Sequence, residues 1–122
     1  MESFGKHILV DYRDCSAERL DDVVWVEEIM REAARKANAT IIQSSFHHFS
    51  PQGISGVIII QESHLTIHIW PEFRYVAVDI FTCGEKMNPW EAHQHLEKAL
   101  EAGYSEIRDI PRGRKVKISE KP

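Results

Sequence analysis

Apolar and polar positions alternate in short runs along this chain, interrupted by two longer stretches with helical spacing. His7-Ile8-Leu9-Val10-Asp11-Tyr12-Arg13 is β-branched and aromatic with partial alternation, and predicts a first strand. Asp14-Cys15-Ser16 breaks it. Ser16 has an N-cap side chain, and Glu18 would lie in the first turn, where the helix dipole favours an anion. Leu20, Val23, Val24, Ile29, Met30, Ala33, Ala34 and Ala37 then recur at helical spacing. They predict one amphipathic helix from Leu20 to Ala37, with Asp21, Asp22, Glu28, Arg31, Glu32 and Arg35 on its solvated face.

Four strand-like segments follow: Thr40 to Phe49, Ile54 to Ile60, Leu65 to Trp70 and Tyr75 to Thr82. Ser50-Pro51-Gln52-Gly53, Glu62-Ser63-His64, Pro71 and Cys83-Gly84 separate or end them. Asn88-Pro89-Trp90-Glu91 has the features of a helix start: Asn88 can cap, Pro89 suits the first helical position, and Glu91 can reach back. That helix should run to about Ala102, with Gly103 at C′. Tyr104 to Ile110 predicts a last strand, and the tail rich in Arg and Lys is expected to be mobile. The order β-α-β-β-β-β-α-β implies an α+β fold with a mainly antiparallel sheet. Two helices cover only one face of such a sheet, and the simplest cover for the other is a second copy.

Composition changes this picture little. With 122 residues the chain fits a single domain, 1–122, and 43% hydrophobic with 28% charged residues is ordinary for a globular protein. A net charge of −4 favours neither nucleic acid nor an anionic membrane. No apolar run is long enough for a membrane helix, and Ile8-Leu9-Val10 is too short for a signal peptide. Two cysteines, Cys15 and Cys83, make no disulfide framework and point to a reducing cytoplasm.

The candidate chemistry centres on Ser63. A serine in a turn ordinarily makes only turn hydrogen bonds, and unassisted its hydroxyl is a weak nucleophile. At a strained strand break its oxygen could instead attack the Glu62 carbonyl and convert the amide to an ester. β-Elimination would then cut the chain and leave dehydroalanine, which hydrolyses to a pyruvoyl group. That carbonyl can form a Schiff base with an amine and drain electrons from an adjacent carboxylate, as pyridoxal phosphate does. His68 is a second candidate, although five positions along a strand put it on the opposite face from Ser63. Cys83, at a strand end before Gly84, could act as acid or nucleophile; a small buried apolar role is the plain alternative, and the one assigned to Cys15. Metal binding is the rival chemistry. His47, His48, His64, His68, His93 and His95 lack ligand spacing: His64 and His68 lie roughly 13 Å apart along a strand, and His93 and His95 about 200° apart on a helix. No metal is expected.

Ser55-Gly56-Val57, then Glu62-Ser63-His64-Leu65-Thr66-Ile67-His68-Ile69-Trp70-Pro71-Glu72, then Asp79-Ile80-Phe81-Thr82-Cys83-Gly84 closely resemble the short prokaryotic type of S-adenosylmethionine decarboxylase. The resemblance includes Gly5-Lys6-His7 and Asn88-Pro89-Trp90 and runs to about Gly103. It implies a proenzyme cleaved between Glu62 and Ser63 into a β chain, 1–62, and an α chain, 63–122, that begins with a covalent pyruvoyl cofactor. It implies that Ser55 and His68 assist processing, the histidine as proton acceptor in the β-elimination. Cys83 would be the proton donor in catalysis, Glu72 would hold the ribose hydroxyls, Phe49 would stack on adenine, and Phe4 would supply the other side of the stack. Trp70 receives no role. The family fold is a two-layer α/β sandwich that pairs through its sheets into a four-layer αββα homodimer. Ser63 and Cys83 then come from one subunit, and Phe49, Ser55, His68 and Glu72 largely from the other. The implied reaction decarboxylates S-adenosylmethionine for polyamine synthesis. Arg74 departs from the pattern, where Gly or a small polar residue is expected, and could alter the charge near the site. The alternatives are a pyruvoyl decarboxylase of the same fold acting on arginine or ornithine, and an unprocessed, non-catalytic dimer.

Overall fold

The computed structural model describes residues 3–114. Its elements are β1 (Ser3–Arg13), α1 (Val23–Lys36), β2 (Ile41–His48), β3 (Ile54–Ile60), β4 (Ser63–Trp70), β5 (Tyr75–Cys83), α2 (Pro89–Ala99) and β6 (Tyr104–Arg114), with a 3-10 turn at Pro71–Phe73. The strands form one sheet in the order β2-β3-β4-β5-β1-β6, and every neighbouring pair is antiparallel. The predicted order and the α+β class are therefore what the chain adopts.

Period-two patterning builds the core. Ile8, Val10 and Tyr12 of β1, Ile58 and Ile60 of β3, Leu65, Ile67 and Ile69 of β4, and Val76, Val78 and Ile80 of β5 all point to one face and are buried. On that face they meet Val26, Ile29, Met30, Ala33 and Ala34 of α1, and Ala92 and Leu96 of α2. Small alanines let the helices approach the sheet closely. Within the core Tyr12 Oη lies 2.7 Å from His93 Nδ1, with the two rings stacked. Burial lowers the pKa of His93, an effect that the nearby Glu97 opposes.

The opposite face carries Leu9, Asp11, Val57, Ile59, Thr66, Ala77, Asp79 and Phe81, half-buried or exposed, and no element of the described chain covers it. On it Thr66 Oγ1 and His7 Nε2 are shielded from solvent without a hydrogen-bond partner among the described residues.

Several boundaries differ from the sequence reading, β1 for one starting at Ser3 rather than His7. α1 begins at Val23, not near Ser16, because Asp22 is the stronger cap: its carboxylate accepts from the N–H groups of Val24 and Trp25 at 3.1 and 3.2 Å. Ser16 instead hydrogen-bonds to Glu101. α2 ends at Ala99, and Glu101 rather than Gly103 takes the left-handed C′ position, with φ +51° and the Ala102 N–H donating to Glu97 O. Gly103 is needed for close approach, since a Cβ there would lie 2.8 Å from that of Asp14. β6 continues past Ile110 to Arg114, so 111–114 belong to the sheet; the rest of the tail lies outside the described residues.

Candidate active site

β3 and β4 are joined by a two-residue turn, Gln61-Glu62, with Ile60 and Ser63 paired across it. The loops after α1 and β5 pack over this turn. Gln61 N–H donates to Thr40 O at 2.8 Å, and Thr40 N–H donates to Glu62 Oε1 at 3.3 Å. Lys86 Nζ lies 3.4 Å from Glu62 Oε2 and donates to Thr40 Oγ1 at 2.8 Å. Glu62 is only 8% exposed, unusual for a carboxylate in a hairpin turn.

The peptide carbonyl of Glu62 is held as tightly as its side chain. Cys83 donates to it twice, from its backbone N–H at 3.0 Å and from its thiol at 2.9 Å. Two donors on one carbonyl oxygen form the arrangement that stabilises an oxyanion when a nucleophile adds to that carbon. The adjoining residue is Ser63, whose φ of +156° is uncommon outside glycine. Beside it, on the uncovered face, His64, His7 and Phe81 form an aromatic cluster, with Arg112 Nη1 2.9 Å from His7 Nδ1. Phe4 stands at this end of the molecule because its neighbour Gly5 pairs with Cys83. Strand alternation directs Phe4 to the other face.

The remaining candidates gather at the far end of the same strands. Ser55 and His68 are cross-strand partners, and Ser55 Oγ lies 2.8 Å from His68 Nδ1. They border a cleft of about 290 Å³ whose walls include Phe49, Gly53, Trp70 and Glu72. Gly53, with φ +108°, shapes the rim: its N–H donates to Asp21 Oδ1 and its carbonyl accepts from Phe49 N–H. Trp70 stacks on Tyr75 with ring centroids 5.2 Å apart.

The structure thus brings Ser63, Glu62 and Cys83 together at one end, and Ser55, His68, Phe49 and Glu72 at the other. Ser63 and His68 lie five positions apart along β4, roughly 17 Å at the usual rise per residue. Within one chain the two groups cannot touch. Arg74 does not line the cleft. It adopts the left-handed conformation (φ +49°), which accounts for the expectation of Gly there, and its guanidinium donates to Ala17 O. Lys86 and Thr40 were not singled out by sequence reasoning: they contact Glu62 only through loop packing, and no spacing signals it. No cluster of three or more His, Cys, Asp or Glu side chains among the described residues is placed to hold a metal ion, and no described helix is long and apolar enough to cross a membrane.

Residues 6–113 match the family model described as S-adenosylmethionine decarboxylase. The chain belongs to the S-adenosylmethionine decarboxylase family. It is 49% identical over 114 residues to an S-adenosylmethionine decarboxylase proenzyme of Thermotoga maritima, covering 93% of this chain and 88% of that one. A proenzyme of the same name from Moorella thermoacetica is 50% identical over 113 residues, 93% of this chain and 90% of its own. Among solved structures, the crystal structure of the adenosylmethionine decarboxylase from Aquifex aeolicus superposes with a TM-score of 0.89 at 30% identity, over 99% of this chain and 100% of that one. The resemblance read from Glu62 to Glu72 and from Asp79 to Gly84 is the family relationship that these matches carry.

Proposed function

We propose that the chain cuts itself between Glu62 and Ser63 and then decarboxylates S-adenosylmethionine, yielding the aminopropyl donor of polyamine synthesis. The observation that carries this reading is the pair of Cys83 donors on the Glu62 carbonyl. Ser63 Oγ adds to that carbonyl carbon, and the oxyanion forms between the Cys83 N–H and thiol. Collapse breaks the C–N bond and leaves Glu62 esterified to the serine oxygen. Removal of the residue 63 α-proton expels the Glu62 carboxylate, and hydrolysis of the resulting dehydroalanine releases ammonia. His68, held by Ser55, is the base suited to that proton.

The site fits the group such chemistry would leave. A pyruvoyl carbonyl at position 63 supplies the electrophile that accepts the substrate amine and the electrons freed with carbon dioxide. Cys83, a free and exposed cysteine, is suited to return a proton to the substrate carbon. Phe49 offers a flat face to adenine and to the sulfonium cation, and Glu72 two acceptors for ribose hydroxyls. These two suit a nucleoside better than arginine or ornithine. The family resemblance assigns Phe4 the opposite side of the nucleobase; it stands at the Cys83 end, but strand alternation turns it toward the helix-covered face, so geometry lends that role no support. A free thiol as the working form suits a reducing cytoplasm.

The roughly 17 Å gap is closed by a homodimer packed through the uncovered faces. A two-fold axis near the middle of β4 sets Ser63 and Cys83 of one copy against Ser55, His68, Phe49 and Glu72 of the other. The test is carbon dioxide release from carboxyl-labelled S-adenosylmethionine, arginine and ornithine. Release from S-adenosylmethionine alone, abolished by Ser63→Ala, is expected; preferential release from either amino acid contradicts the substrate.

A further inference from the structure

Self-cleavage requires more than a nucleophile beside a polarised carbonyl: the acyl carbon must be held at attack distance and angle. The Glu62 carbonyl oxygen is fixed by Cys83, and the Gln61 N–H ties the turn to Thr40 O, but neither contact sets the orientation of Glu62 about its own backbone. A further anchor is the Glu62 side chain. Its carboxylate is buried within a hairpin turn, where burial without partners is costly. Its partners are the Thr40 N–H at 3.3 Å and the Lys86 ammonium at 3.4 Å. Lys86 also ties Thr40 through its hydroxyl at 2.8 Å, and Asn38 Nδ2 donates to the Lys86 carbonyl at 3.3 Å. The segment that supplies both Cys83 donors therefore also supplies the cation on the Glu62 carboxylate.

We propose that Lys86 is a positioning residue for self-cleavage, acting through the Glu62 carboxylate to hold the scissile carbonyl against Cys83. This inference rests on the self-cleavage reading above. Lys86 is half-exposed, so its effect is modest and lies in orientation more than in binding strength. The clamp stays useful after the cut, when Glu62 becomes a chain end held by its side chain in the loop it occupied before.

The test follows appearance of the 63–122 fragment after synthesis in a cell-free translation system. Lys86→Met is expected to slow cleavage about five- to tenfold, the equivalent of about 1 kcal/mol or slightly more. Lys86→Arg, which keeps the charge, should stay within about twofold of the unmodified chain. In a Glu62→Ala background Lys86→Met should add nothing, because the carboxylate it pairs with is gone; a general effect on folding would slow both backgrounds alike. Cleavage of Lys86→Met at the unmodified rate, or an equal slowing in the Glu62→Ala background, overturns the inference while leaving self-cleavage intact. Failure of the unmodified chain to cleave at Glu62-Ser63 overturns the parent reading and the inference with it.

Discussion

Co-expression of Ser63→Ala and His68→Ala chains should restore part of the pyruvoyl formation that neither variant supports alone. Ser63 and His68 sit on one strand, five residues and roughly 17 Å apart, whereas proton transfer needs contact within about 3 Å. Ser55, the hydrogen-bond partner of His68, lies at the same far end. A His68 that serves Ser63 must therefore come from a second copy. In a hybrid dimer one site lacks both the serine hydroxyl and the imidazole, while the other combines an intact Ser63 with an intact His68. Random pairing makes about half of the dimers hybrids, each with one working site of two, so about a quarter of the wild-type yield of pyruvoyl-bearing fragment is expected. Differently tagged chains let the hybrids be isolated, and denaturing mass spectrometry separates pyruvoyl from an unmodified terminal serine. The His68→Ala chain alone should give serine-terminated fragment as its ester hydrolyses. Hybrids that form but yield no pyruvoyl fragment refute the shared site, as does full maturation of His68→Ala by itself.

Three further outcomes follow. Cys83→Ala removes one of two donors from the Glu62 carbonyl, so maturation should slow by about 10- to 100-fold without stopping, and turnover by the matured fraction should fall further; unchanged turnover removes the thiol from proton transfer. Ile67→Ala, at a fully buried β4 position, should cost about 2–5 kcal/mol in denaturant unfolding of the uncleaved Ser63→Ala background. Burial lowers the pKa values of His93 and His95 from the usual 6.5, so the folded state binds fewer protons than the unfolded chain. Their contribution to stability is full above pH 6.5 and is lost as pH falls below it; a thermal midpoint lower at about pH 5 than at pH 7.5, with a shallower drop in His93→Gln, is the expected result.

The strands were legible because period-two patterning reports burial directly: Leu65, Ile67 and Ile69 face the helices, and His64, Thr66 and His68 the open side. The same parity separates Ser63 from His68 in the bare sequence. Helix ends were harder. Leu20 falls at helical spacing but lies in the turn that precedes Asp22, and spacing cannot distinguish the two. Gly103 has the identity of a C′ residue, yet packing against Asp14 requires it there and a glutamate takes the left-handed position. The candidate site was half legible. Ser63, Ser55, His68, Phe49, Glu72 and Cys83 stand in recognisable motifs. Which of them share an end of the sheet depends on strand register, and the Lys86 clamp on Glu62 depends on two loops meeting far apart in sequence.

The central claim is self-cleavage at Glu62-Ser63, and the intact mass of the purified protein under denaturing conditions tests it most directly. Two fragments, 1–62 and 63–122, are expected, the second carrying pyruvoyl in place of serine. A single intact chain of 14.1 kDa that persists through long incubation would contradict it.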